Sequence, residues 1–340
     1  MNEQKTVPGV LGLDIGGANL KAAHGNSTVR VQPFALWKDP DGLTAALGKL
    51  IESMPAADVL AVTMTGELCD CYESKRQGVQ AILDAVAAVA GERSIRVWTT
   101  GAGFVDIVTA RTKPLQVAAA NWLALAKFAG RLLPDGNGLL MDVGSTTTDI
   151  IPIISGNPAP KGLTDPDRLR SLELVYTGVR RTPLCAVLGA GVAAEFFATM
   201  LDVNLVLELI AEDASDRNTA DGRPATKAAA HARLARMLCA DTDTIGPQET
   251  IKLAERALLR QVYQLTMAFD HVARRLPEPP RTVVLAGEGE FLARLVLGQQ
   301  NSFRNGNVIS LAETMGLQIS KVACAYSLAI LATDSAVYSE

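Results

Sequence analysis

Two short runs in this chain place the same chemistry twice. LDIGGANLK spans Leu13 to Lys21, and MDVGSTTTD spans Met141 to Asp149. In each, an apolar strand ends in Asp and passes through a Gly turn into amide or hydroxyl side chains. A strand ending in Asp-x-Gly lets the backbone turn sharply and aims main-chain N–H groups at an anion. The candidate phosphate contacts are Gly16, Gly17, Asn19 and Lys21 in the first copy, and Gly144, Ser145, Thr146 and Thr147 in the second. Asp14 and Asp142 are the candidate metal ligands, because Mg²⁺ takes one or two hard carboxylates together with substrate phosphates. Either copy alone is an ordinary strand-ending turn. Two copies roughly 128 positions apart, each preceded by an apolar run (VLGL and GLLM), predict a duplicated clamp that grips a polyphosphate from both sides of a cleft.

Candidate acid–base groups lie close to these turns in the sequence. Glu67, just past the expected strand Val59 to Met64, is the first candidate for a general base; Asp149, closing the second turn, is the next, and Asp14 completes the catalytic set. The competing readings are a surface cap for Glu67, an Asx turn for Asp149 and a solvated side chain for Lys21. Arg180 and Arg181, in TGVRRTPL, could hold a substrate carboxylate through bidentate hydrogen bonds, with a surface salt bridge as the alternative. Near the end, TVVLAGEGEFLARLVL reads as a strand, a Gly turn and a helix, with Gly287, Glu288 and Gly289 in the turn and Glu290 beside it.

The elements that must position these residues alternate between a period of 2 and one of 3.6, as in an α/β lobe. Strands are expected at Gly9 to Asp14, Leu20 to Gly25, Val29 to Phe34, Val59 to Met64 and Ser94 to Thr99, with helices at Gly42 to Glu52 and Gly78 to Ala90. A second lobe opens with strands Gly138 to Asp142 and Asp149 to Ile154, continues through a polar excursion at Lys161 to Leu172, and carries helices near Val203 to Ala211, Thr226 to Cys239 and Pro247 to Arg275. The Ala-rich helix Val117 to Leu132 and the late helix Ile319 to Thr333 are expected to pack together between the lobes. The expected division is 1–118, 119–318 and a returning helix at 319–340. Glu212 to Pro224 reads as an exposed loop or a lid.

With 340 residues, 48% of them hydrophobic and 20% charged, the chain can bury a sizeable core in about two domains. A net charge of −4 argues against general nucleic-acid binding. The apolar runs at Val79 to Ala90 and Ala323 to Ala332 fall short of a membrane span, which takes about 20 residues. The polar N-terminus reads as that of a cytoplasmic protein. Five cysteines and three histidines suggest reduced thiols rather than a disulfide framework or a zinc site. The oligomeric state is open, a homodimer included.

The paired turns resemble those of the sugar kinase, heat-shock ATPase and actin superfamily. DVGSTTTDI is most similar to the hydantoinase A and oxoprolinase branch, together with AVTMTGELCDCY at Ala61 to Tyr72, VAAANWLALAKF at Val117 to Phe128 and TGVRRTPL at Thr177 to Leu184. Within that branch, the whole chain resembles the short proteins linked to tetrahydromethanopterin-dependent one-carbon transfer and methanofuran biosynthesis. The resemblance implies an α/β, two-lobed actin-like fold, a duplicated ribonuclease H-like architecture with a central cleft. It also implies a transferase that joins an aminomethylfuran diphosphate to the phenol of a glutamyl-tyramine acceptor and releases pyrophosphate. The alternatives are an ATP-dependent hydrolase or kinase and a non-catalytic nucleotide-binding protein. Mg²⁺ is the expected cofactor. ATP stays open, because Glu288 and Glu290 put negative charge in the turn that holds adenosine in the superfamily.

Overall fold

The computed structural model describes residues 9–101, 103–300 and 303–337. The polar N-terminal stretch 1–8 and residues 338–340 of the expected returning helix lie outside the described residues.

The first sheet is built from β1 (Val10–Ile15), β2 (Asn19–His24), β3 (Val29–Pro33), β4 (Val59–Met64), β5 (Ser94–Thr99) and β6 (Gly103–Asp106), in the order β3-β2-β1-β4-β5-β6. β1 and β4 pair in parallel and are buried at every position, as expected of strands covered on both faces. α1 (Leu43–Glu52) and α2 (Lys75–Ala90) cover one face, with Leu47, Leu50, Val79, Ile82 and Val86 in the core. Two short helices, α3 (Ile107–Thr112) and α4 (Pro114–Val117), end the lobe.

After α5 (Asn121–Gly130), the second sheet repeats the plan. β7 (Asn137–Val143) and β8 (Thr148–Ile154) form a hairpin, and β9 (Asn157–Pro158) pairs with β8. Beyond α6 (Asp165–Arg170) comes β10 (Leu174–Val175), and then a helical insertion: α7 (Leu184–Leu188), α8 (Met200–Val206), α9 (Lys227–Met237) and the long α10 (Pro247–Ala273). β11 (Thr282–Ala286), α11 (Glu290–Gly298), β12 (Asn307–Ser310), α12 (Leu311–Met315), α13 (Leu317–Lys321) and α14 (Ala323–Val337) complete the chain. The order is β10-β8-β7-β11-β12. β1, β2, β3, β4 and β5 therefore correspond to β7, β8, β10, β11 and β12, with the same parallel and antiparallel partners. This is the duplicated ribonuclease H-like architecture that the resemblance implied.

Three expectations need correction. The Ala-rich helix is broken: α4 ends at Val117, Ala119 takes a positive φ of 48°, and Ala118 bridges to Met64 before α5 begins. The late helix is also divided at Val322. The two pieces do meet, with Asn121 of α5 donating to Cys324 Sγ of α14. The polar excursion conceals α6, capped by Thr164, whose Oγ1 accepts from Asp167 N–H and donates to Asp167 Oδ2 at 2.6 Å.

Candidate functional site

The two turns are the same structure. Gly16 N–H donates to Asn19 C=O at 3.0 Å, and Gly144 N–H donates to Thr147 C=O at 2.9 Å. In both, the four turn residues stay partly exposed between buried strands, so their remaining main-chain N–H groups are open to a ligand. Each turn is braced from behind. Leu36 N–H bonds Gly17 C=O, and Thr65 and Gly66 N–H both bond Ile15 C=O. On the second copy, Arg180 and Arg181 N–H both bond Ser145 C=O, and Gly178 lies so close that a Cβ there would strike the turn's main chain. The TGVRRTPL segment is thus a backbone brace. Of its arginines, Arg180 pairs with Asp216 and holds the 212–224 excursion down, while Arg181 lies 5.1 Å from the ring centre of Trp37, which follows the first turn's brace. Neither guanidinium is idle, and only Arg181 faces the first lobe.

Opposite the turn aspartates the two copies differ. Asp14 sits across the ladder from Lys21, whereas Asp142 sits across from Asp149, a pairing of like charges that a hairpin disfavours. Arg168 offsets the second pair: its guanidinium is only 2% exposed, pairs with Asp149 and stacks 4.0 Å over Trp122. Asp149, the second base candidate, is therefore committed to an ion pair.

Burial raises the Asp14 carboxyl against the pull of Lys21, and its Oδ1 has no hydrogen-bond partner among the described residues. Burial together with Asp149 pushes Asp142 up to about 7, with Asp14 adding to the effect. Lys21 is held protonated despite burial by Asp14, Asp142 and Glu288. Charges from both turns thus act on one another across the cleft. An orphaned buried carboxylate oxygen facing a second carboxylate suits a hard divalent cation. Among the described residues, no group of three or more His, Cys, Asp or Glu is arranged to hold a metal by itself. That fits an ion such as Mg²⁺, which completes its shell with water and substrate oxygens.

The third turn packs on the second. Gly287 has φ 91°, and a Cβ there would meet Asp142 Oδ1 at 2.6 Å as well as the Val143 carbonyl. Gly289 N–H donates to Val143 C=O at 2.9 Å, the counterpart of Gly66 N–H to Ile15 C=O at 3.0 Å. This equivalence aligns Glu67 with Glu290, and their environments are opposite. Glu290 accepts from Ser310 Oγ, from Ser320 Oγ at 2.7 Å and from Ala312 N–H at 2.9 Å, so it ties α11 to α12. Its carboxylate is thus buried and engaged in hydrogen bonds, while its charge still acts on Asp142; Glu288 in the turn is half-buried. Glu67 is 1% exposed, its Oε2 has no partner among the described residues, and burial pushes it up to about 7 despite Lys75. A Cβ on Gly66 beside it would come within 3.2 Å of Gly17 N, so the backbone that carries Glu67 adjoins the first turn, and the Asp14 charge acts on its carboxylate.

The hydantoinase/oxoprolinase family profile matches residues 58–332. The chain belongs to the hydantoinase/oxoprolinase family. Among curated members of this kind, a protein of Methanocaldococcus jannaschii named (4-{4-[2-(gamma-L-glutamylamino)ethyl]phenoxymethyl}furan-2-yl)methanamine synthase is 32% identical over 95% of this chain and 97% of its own length. A Methanococcus vannielii protein of the same name is 33% identical over 58% of this chain and 91% of its own. Among solved structures, a nucleotide-free acetone carboxylase shares the fold at a TM-score of 0.55 and 10% identity, over 93% of this chain and 70% of that one. The fold is the two-lobed actin-like one.

Within this hydantoinase/oxoprolinase-family site, three residues escaped the sequence reading: Lys75, Asp165 and Arg168. A signal existed for the last two. TDPDRLR carries a Thr N-cap, Pro in the first turn and Asp at the third helical position, the signature of a helix start.

Proposed function

We propose that this chain is a methanofuran-type synthase that transfers an aminomethylfuran group from its diphosphate to the phenol of a γ-glutamyl-tyramine acceptor and releases pyrophosphate. The observation that carries the reading is the relationship, over 95% of this chain, to a synthase whose named product contains a phenoxymethyl-furan ether. Breaking that ether on paper gives a phenol and a furfuryl carbon bearing a leaving group. A clamp of two phosphate turns suits a diphosphate in that role.

In this reading the N–H groups of 17–19 and 145–147, with Lys21, hold the diphosphate and take up its growing charge as the furfuryl C–O bond breaks. Bound Mg²⁺, held by Asp14 and Asp142, would supply further neutralisation of the leaving group. Glu67 takes the phenol proton as the oxygen attacks the methylene carbon; the phenol, with an ordinary pKa of about 10, needs such help. The new ether bond replaces the C–O bond to phosphate, and the electron pair leaves with pyrophosphate. Arg181 beside Trp37 is the candidate contact for the glutamyl carboxylate. The chemistry is that of a cytoplasmic biosynthetic enzyme serving one-carbon metabolism.

The test is direct. Purified protein with Mg²⁺, the furfuryl diphosphate and the phenolic amine should release pyrophosphate and form the ether without nucleotide. Calorimetry should show pyrophosphate binding and no heat from ATP. Tight ATP binding, with turnover only when ATP is added, would move the assignment to an ATP-dependent hydrolase or kinase.

A further inference from the structure

Five side chains of alternating charge run across the cleft. Glu67 Oε1 lies 4.0 Å from Lys75 Nζ, and Lys75 Nζ donates to Asp165 Oδ2 at 3.0 Å. Asp165 Oδ1 is 3.7 Å from Arg168 Nη1, and Arg168 Nη2 pairs with Asp149. Lys75 opens α2, and Gly78 of that helix packs directly on the Glu67 main chain, so Lys75 and Glu67 are fixed to each other within the first lobe. Asp165 opens α6 of the second lobe, where the Thr164 cap and Arg168 fix it. Within this line, the Lys75–Asp165 bond is the link that joins one lobe to the other.

We propose that Lys75 is a positioning residue for Glu67, and that its bond to Asp165 is a latch through which closure of the cleft prepares that carboxylate to accept a proton. The proposal rests on the reading of Glu67 as the base. When Asp165 is docked, the ammonium is divided between two carboxylates, and Asp165 adds its own negative charge near Glu67. When the lobes part, Lys75 is left to Glu67 alone, and a fully paired carboxylate is a poor proton acceptor. Closing the lobes therefore converts a neutralised acid into a base at the moment substrate is enclosed. The charged and titratable groups facing Glu67 are Lys75 from α2, Asp165 from α6, Asp14 from β1 and, on its own loop, Cys69. The duplicate position supports a specialised role: Glu290 is held by three hydrogen bonds, whereas Glu67 has a backbone hydrogen bond, a cation at 4.0 Å and, among the described residues, no partner for Oε2.

The experiment needs no substrate. Full-length protein labelled with ¹³C at the glutamate carboxyl is titrated by NMR, and the Glu67 resonance is assigned by its loss in Glu67→Gln. In the parent protein it should titrate near pH 7. In Lys75→Met the midpoint should rise by about 1 pH unit or more, since an opposite charge within ~4–6 Å moves a carboxyl by about 1–3 units, and in Asp165→Asn it should fall. Opposite movements in two variants that retain the parent's thermal melt support the latch, because they show that both of its groups set the proton affinity of Glu67. A midpoint unchanged in either variant, or moved the same way in both, overturns it. If neither variant folds, the conservative Asp165→Glu must keep the parent midpoint, and a displaced midpoint there overturns the proposal too. Absence of pyrophosphate release from a furfuryl diphosphate would sink the proposed reaction and leave this titration result standing by itself.

Discussion

Glu67 and Glu290 occupy equivalent positions in the two lobes, and replacing each by Gln should change stability in opposite directions. Glu67 is buried with one carboxylate oxygen unpartnered, and its carboxyl is raised from 4.5 to about 7. The folded protein therefore binds a proton at this site more tightly than the unfolded chain does between those two values. Stability from this group falls as pH rises through that window and is level above it. At about 1.4 kcal/mol per pH unit, the penalty reaches about 3 kcal/mol at pH 8 and stays under about 1 kcal/mol at pH 5. Glu67→Gln, which cannot ionise, should recover up to that amount at pH 8 and little at pH 5, while lowering turnover by about 10²-fold or more. Glu290→Gln confronts Ser310, Ser320 and the Ala312 N–H with a weaker acceptor and should lose about 1–3 kcal/mol at both pH values. Urea unfolding of the three proteins at pH 5 and pH 8, read by tryptophan fluorescence, measures both effects. A Glu67→Gln protein less stable than the parent at pH 8, or equally changed at the two pH values, would refute the assignment of Glu67 as a strained functional acid.

Other consequences can be checked alongside. Asp14→Ala and Asp142→Ala should each abolish turnover and weaken Mg²⁺-dependent pyrophosphate binding in calorimetry; unchanged turnover in both would dispose of the clamp. Arg168→Met strands the Asp149 charge opposite Asp142 and should cost about 3–5 kcal/mol in urea unfolding. Adding Asp149→Asn should restore more than half of that loss, and strictly additive losses would show that the two residues are not coupled. Gly287→Ala, at φ 91° against the Val143 carbonyl and Asp142, should displace the second turn and reduce pyrophosphate affinity at least tenfold; parent-like affinity would mean that the third turn does not set the clamp.

The parts of the fold that the sequence revealed are those with local causes. β4 and β5 begin and end where their apolar runs do, and the twin turns stand out because Asp, Gly and hydroxyl residues recur at the same spacing. The break at Ala119 was hidden, since a run of alanines favours a helix and only the bridge from Ala118 to Met64 overrides it. Glu67 and Glu290 read alike in sequence. What separates them is the distant arrival of Ser310 and Ser320 beside one and the lack of such partners beside the other. Arg168 does not stand out in the sequence, where its neighbours are polar, because its partners Asp149 and Trp122 come from other elements. Charges that meet across distant elements leave no local pattern.

The packing of α14 on β1 has a consequence for how the molecule is made. Gly12 lies so close to the Ala325 carbonyl that no side chain could stand between them, and Val10, Val59 and Ala61 of the first sheet share one core with Leu328, Ala329 and Ala332. β1 thus has its cover in α14, a helix made long after it. At about 5–20 residues per second, the intervening chain takes roughly 15–60 s to synthesise. Through that interval one face of the first sheet stands open, a dry surface in a crowded solvent and a natural place for a chaperone to hold. Nascent chains arrested before α14 should therefore stay protease-sensitive in β1 even though every strand of the first sheet has already been made.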